Sequence, residues 1–122
     1  MPGHGRRQHA EKQGRRGEML AAFYLMMKGW RIVGRRVKTR RGEIDLIAKR
    51  FGTVAFVEVK RRSSAVALRD AIDHHRLKRV AAAAESVVHL YAGKGESVSI
   101  DVILVAPRRW PRHLVNVWHD GH

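Results

Sequence analysis

The 122-residue chain contains no cysteine. That excludes a disulfide framework, thiolate metal sites and a cysteine nucleophile, and it fits a reducing compartment. Negative charge is scarce too: 11 Asp and Glu stand against 25 Lys and Arg, a formal charge of +14 before any of the eight histidines is counted. Long apolar runs are missing. The longest stretch free of charge, Met19 to Met27, is far short of the roughly 20 residues that a membrane span needs. The opening MPGHGRRQHAEKQGRRG carries charge without an apolar core, unlike a secretory signal. No G-x-x-x-x-G-K-S/T, G-x-S-x-G or G-x-G-x-x-G motif occurs, so nucleotide-driven work, serine-hydrolase chemistry and dinucleotide binding lack support. The one adjacent histidine pair, His74-His75, does not have the i, i+4 spacing that chelates a metal from a helix. A cytoplasmic protein with no membrane span is expected, and its cationic excess calls for an anionic partner.

What is present reads as one domain behind a short arm. Residues 1–14 are polar, Gly-rich and basic without apolar periodicity, the pattern of a disordered arm, and 15–122 read as a single domain. From Arg15, the apolar residues Met19, Leu20, Phe23, Met26 and Met27 recur at helical spacing and predict one apolar face, closed by Gly29. Trp30, Ile32 and Val33 then begin a strand that runs into the basic stretch Arg35 to Arg41. Glu43 to Ala48 and Thr53 to Lys60 predict two further strands, joined through Lys49-Arg-Phe-Gly52 as a hairpin. A second helical region extends from Ala67 to about Tyr91, with an apolar stripe of Leu77, Val80, Ala81, Ala84, Val87, Val88 and Tyr91. Within it, Ala65 to Asp73 fits either a loop or an early helical turn. Val98 to Val105 is a strand stopped by Pro107, and Leu114 to Trp118 a weaker terminal one. The order is α-β-β-β-α-β-β, an α/β fold with a mixed sheet flanked by helices.

Charge placement narrows the partner. Between Arg31 and Arg62 there are eleven Lys and Arg but only three carboxylates, Glu43, Asp45 and Glu58. The basic residues flank short strands instead of lining an amphipathic helix, which favours nucleic acid over a membrane surface. Strand periodicity puts Val54, Phe56, Glu58 and Lys60 on one face, and the strand is apolar on both faces until Glu58. If the two strands pair, Asp45 and Glu58 converge in a cationic setting. A divalent ion relieves their mutual repulsion, because Mg2+ favours a few carboxylate oxygens plus water and phosphate. Lys60 points to the same side as Glu58 and can position a water, and the Val59 carbonyl suits a hard cation. Plainer readings exist for the same residues. Asp45 could accept from Arg40 or Arg41, Glu58 and Lys60 could form an i, i+2 ion pair, and Glu18 could sit in a helix's first turn for the macrodipole. Glu43 could join the Asp45 site or pair with Arg41.

Gly17-Glu18, Gly42-Glu-Ile-Asp-Leu-Ile47 and Phe56-Val-Glu-Val-Lys60, in this order, resemble the YraN family, small bacterial proteins with a restriction-endonuclease-like fold. The resemblance runs from Gly14 to about Trp118. In the wider superfamily of PD-(D/E)XK nucleases and Holliday-junction resolvases, an Asp on one strand and a Glu-x-Lys on the next hold metal and activate water. The resemblance therefore implies Asp45 and Glu58 as ligands of Mg2+ or Mn2+, with Lys60 activating water and Glu18 assisting from the first helix. Arg40, Arg41, Arg61 and Arg62 are expected to grip phosphates, with DNA favoured over RNA. Superfamily analogy also raises a homodimer, since cutting two strands symmetrically calls for two sites. The stretch after Lys60, Arg61-Arg-Ser-Ser-Ala-Val-Ala-Leu, lacks the Gly-x-Pro turn associated with this family. The expectation is a metal-dependent endonuclease acting on DNA, branched or single-stranded. The alternative is a nucleic-acid-binding module without catalysis, and behind it a scaffold held to ribosome or membrane by charge alone.

Overall fold

Two tight turns fold the middle of the chain into a three-strand meander. The computed structural model describes residues 2–62 and 73–118, with side chains from Arg15 onward. Thr39 Oγ1 accepts the amides of Arg41 and Gly42, each at 3.1 Å, and donates to the Gly42 carbonyl at 2.8 Å. This closes the turn between β1 (Arg31–Thr39) and β2 (Gly42–Arg50). The next turn places Phe51 and Gly52 at φ 49° and 77°, the pair of left-handed residues that matches strand twist in a two-residue hairpin. β3 (Thr53–Arg61) follows.

After β3 the chain crosses the sheet through α2 (His74–Tyr91), which Asp73 caps by accepting from the amides of His75 and Arg76. It returns as β4 (Ser97–Val105), parallel to β3, and ends in β5 (Arg112–Leu114), antiparallel to β4. The five-stranded mixed sheet runs β1-β2-β3-β4-β5. The order α-β-β-β-α-β-β and the restriction-endonuclease-like arrangement are those expected from sequence.

Helices cover both faces. α1 (Pro2–Met27) packs Ala21, Ala22 and Leu25 on Trp30, Leu46, Val57 and Ile103. α2 packs Leu77, Val80, Ala83 and Ala84 on Ile44, Ile47, Phe56 and Val102. The strand alternation read for Val54, Phe56 and Glu58 against Ala55, Val57 and Val59 holds, with the first set facing α2 and the second α1.

Three features differ from the sequence reading. The helical backbone starts at Pro2, so α1 runs through the segment read as a disordered arm. The side of α1 expected to face the core points outward: Met19, Leu20, Phe23, Met26 and Met27 are exposed. The face that packs on the sheet is instead Ala21, Ala22 and Leu25. Finally, the last strand is Arg112–Leu114 instead of Leu114 to Trp118, because the backbone turns left-handed at Asn116, φ 55°. The start of the second helical region, from Ala67 to residue 72, and most of the stretch after Lys60 lie outside the described residues, as do residues 119–122.

Candidate active site

The antiparallel pairing of β2 with β3 extends from Arg50↔Thr53 to Leu46↔Val57 and stops there. β3 continues to Arg61 beside β4 alone. Beyond Val57 its other edge is therefore open. An N–H and C=O of one residue project to the same side of a strand, so Val59 presents both groups to this opening. Asp45 fills half of it, with Oδ2 accepting the Val59 amide at 2.8 Å. A side chain thus replaces a rung of the ladder, and the Val59 carbonyl remains beside it. β2 is irregular at this point: Ile44 and Ile47 both pack under α2 while Leu46 and Ala48 pack under α1, so alternation slips around Asp45. Opposite, between the pairs Arg35↔Leu46 and Val37↔Ile44, Arg36 is left-handed at φ 49°. A non-glycine residue in this region is strained, and such strain collects at functional positions.

The opening forms a cleft of about 470 Å³ lined by Glu18, Glu43, Asp45, Glu58, Val59 and the arginines 36, 61, 76 and 79, among others. Glu58 is buried, 7% exposed. Its Oε1 faces Arg76 Nε at 3.4 Å, while Oε2 is buried without a hydrogen-bond partner. A buried carboxylate oxygen with no donor is costly. Burial raises the Glu58 pKa against the opposing pull of Lys60 and Arg76. Burial likewise raises Asp45, offset in part by the Val59 amide and reinforced by Glu43. For Glu18, burial and then the Asp45 charge raise the pKa. Lys60, 3% exposed, is pushed below the ordinary lysine range by burial, with Glu58 opposing.

The plainer readings of these residues do not describe this geometry. Asp45 bonds Val59 and not Arg40 or Arg41. Glu58 makes its close contact with Arg76 of α2, and Lys60 attracts it from farther away. Glu18 lies deep within α1, sixteen residues past its start, where the macrodipole no longer explains it. Its side chain faces Arg36 Nε at 3.6 Å, which also meets Glu43 at 3.7 Å. Asp45, Glu58, Val59, Glu18 and Arg61 therefore share one cleft, with Lys60 on the strand beside it. Arg40 and Arg41 sit away from it, at the β1–β2 turn, where Arg41 lines a different cleft with Lys78 and Trp118. Arg62 lines a third.

Sequence reasoning did not single out Arg36, Arg76 or Arg79. For Arg76 a signal existed, since a cation in a helix's first turn opposes the macrodipole and needs another partner. Among the described residues, no three His, Asp or Glu side chains stand together as a ready metal cage. The donors nonetheless suit a hard cation that keeps most of its water: two carboxylates, one with a bare buried oxygen, and a carbonyl at an unpaired strand edge.

The fold and cleft define a restriction-endonuclease-like α/β protein with acidic residues gathered where two strands part. The sequence model of the Uncharacterised protein family UPF0102 matches residues 17–105, and the chain belongs to that family, which is the YraN family. It is 61% identical to a UPF0102 protein of Rhizorhabdus wittichii over 93% of this chain and 97% of the relative. A UPF0102 protein of Erythrobacter litoralis is 58% identical over the same shares, and one from Mesorhizobium japonicum 47% over 93% and 91%. No helix among the described residues is long and apolar enough to cross a membrane.

Proposed function

We propose that this protein is a divalent-metal-dependent nuclease that hydrolyses phosphodiester bonds of DNA. The observation that carries the reading is the parted edge of β2 and β3, where Asp45 caps the Val59 amide and the buried Glu58 Oε2 is left without a donor. Asp45, Glu58 and the Val59 carbonyl would hold Mg2+ or Mn2+. When bound, such an ion polarises a phosphate and acidifies water. The protein's own groups do the rest. Lys60, with its pKa lowered, positions the attacking water and accepts its proton. Water oxygen then bonds to phosphorus, the phosphorus–oxygen bond to the leaving strand breaks, and solvent protonates the leaving oxygen. Arg61 and Arg76 line the cleft where the non-bridging oxygens would lie. Glu18 assists from α1, and Arg40, Arg41 and Arg62 contact the flanking backbone. A second copy would supply a second site for duplex cleavage.

The test is cleavage of single-stranded, flapped and branched DNA with and without Mg2+ or Mn2+. Cutting should require the ion. Asp45→Asn, Glu58→Gln and Lys60→Ala should each lower the rate by about two orders of magnitude or more while binding in EDTA persists. Absence of cutting by folded, metal-loaded protein on all three substrates and on their RNA counterparts overturns the reading and leaves the binding module.

A further inference from the structure

A second cleft, about 700 Å³, lies across α1 from the carboxylates. Its lining carries arginines without the carboxylates. Arg16, Arg61, Arg62, Arg108 and Arg109 line it with Trp110, and no carboxylate does. Trp110 is 74% exposed, although an indole of this size is ordinarily mostly buried. Its loop is stiffly built. Pro107 and Pro111 fix φ on either side, and Arg108 is left-handed at φ 61°, an uncommon conformation for a non-glycine residue. The loop thus presents a bare aromatic face beside a row of guanidinium groups.

The two clefts meet at one residue. Arg61 lines both. Gly17 lines the arginine cleft and Glu18 the acidic one, so the Gly17-Glu18 step of α1 forms the divide. A Cβ on Gly17 would come within 2.9 Å of Arg61 Cγ and Cδ, so the arginine stem lies directly against the helix at Gly17 and would have to shift for a larger residue.

We propose that the Trp110 cleft binds a single-stranded nucleic-acid segment, with a base stacked on the indole and adjoining phosphates held by Arg16, Arg108 and Arg109. The strand would pass Arg61 into the acidic cleft, a direction that rests on the nuclease reading. A duplex keeps its bases stacked on one another and cannot offer a free face to Trp110, whereas every unpaired base can. An acidic peptide would satisfy the arginines but has no comparable use for the indole.

Binding in EDTA separates this proposal from catalysis. A short labelled oligothymidylate and a blunt duplex are titrated with the full chain and with Trp110→Ala, Trp110→Phe and Arg108→Ala. Trp110→Ala should weaken the single strand roughly tenfold and the duplex less than about twofold, with Trp110→Phe retaining most of the affinity. Arg108→Ala should lower the slope of log affinity against log salt by about 0.7 on the single strand. Far-ultraviolet circular dichroism confirms that each variant is folded. Equal loss on both substrates, or no loss on the single strand, overturns the proposal. So does a glutamate peptide that competes as well as the oligonucleotide. Trp110-dependent single-strand binding by a protein that cuts nothing would leave this site standing and the nuclease reading fallen.

Discussion

Asp101 on β4 and Glu58 on β3 lie one step apart in the parallel register, Asp101 opposite Val57 and Glu58 opposite Val102, and so on opposite faces of the sheet. Both are buried, yet their surroundings differ. Asp101 Oδ1 accepts from Ser99 Oγ and from the Asn116 amide at 2.9 Å, and Oδ2 meets His113 Nε2 at 2.6 Å. His113 in turn packs edge-on against Trp30, with ring centroids 5.9 Å apart. Every oxygen of that carboxyl group is engaged, and the network ties β5 and the following turn to the sheet. Glu58 has one oxygen facing a largely exposed arginine and one without a hydrogen-bond partner, with Asp45 and Asp73 adding repulsion against the attraction of Lys60 and Arg76. A buried carboxyl group that is fully satisfied belongs to the scaffold. One that is left short of partners is what the proposed metal site would use.

The largest effect that tests this contrast is Asp101→Ala. It strands the Ser99 hydroxyl and a His113 nitrogen in a buried setting, each costing about 1–3 kcal/mol when unsatisfied, and removes the acceptor of the Asn116 amide in an exposed turn. The expected loss of stability by urea denaturation is about 4 kcal/mol. A loss below about 1 kcal/mol would mean that the network is not what holds the carboxy-terminal segment, and the comparison would break.

Glu58→Gln should move stability the other way, by about 1 kcal/mol, while abolishing metal-dependent cutting. Burial holds the Glu58 pKa above its unfolded value, so ionisation costs the fold. Stability from this group is complete below the unfolded pKa and is lost as pH rises through the folded one. In EDTA, the advantage of the glutamine variant in melting temperature should therefore grow as pH rises from about 4 toward 8, then shrink when Mg2+ is added. A variant less stable than the parent across that range would place Glu58 with Asp101 among the scaffold groups.

How much of this was legible in the sequence follows from the range of the interactions. Period-two patterning put Glu58 and Lys60 on one face, and Gly52 marked the hairpin that brings Asp45 beside β3, because both signals are local. The Asp101 network escaped notice since its partners lie 2, 12 and 15 residues away with no motif spacing, although an Asp inside the apolar run Ile100 to Val105 was itself a signal. For α1, two apolar faces compete on one helix, and the one that packs on the sheet is Ala21, Ala22 and Leu25. Arg36 carried no signal at all, since its left-handed φ appears only when β1 is paired with β2.

Gly17 gives the smallest effect and asks which of the two kinds of region a residue on the divide serves. Alanine is favoured over glycine inside a helix by about 1 kcal/mol, so a purely scaffolding Gly17 should yield a more stable Gly17→Ala protein with unchanged binding. Here the added methyl meets the Arg61 stem at 2.9 Å, and a mid-chain methylene must move to admit it. The propensity gain and that displacement should nearly cancel, leaving stability within about 0.5 kcal/mol of the parent. Arg61, however, would leave the ridge shared by both clefts. Binding to duplex DNA should then lose about 0.9 from its salt slope, matching Arg61→Ala, and the double variant should lose no more than either alone. An additive double variant would show that Gly17 and Arg61 act separately, and the divide between the acidic and the arginine cleft would then have to be built by some other contact.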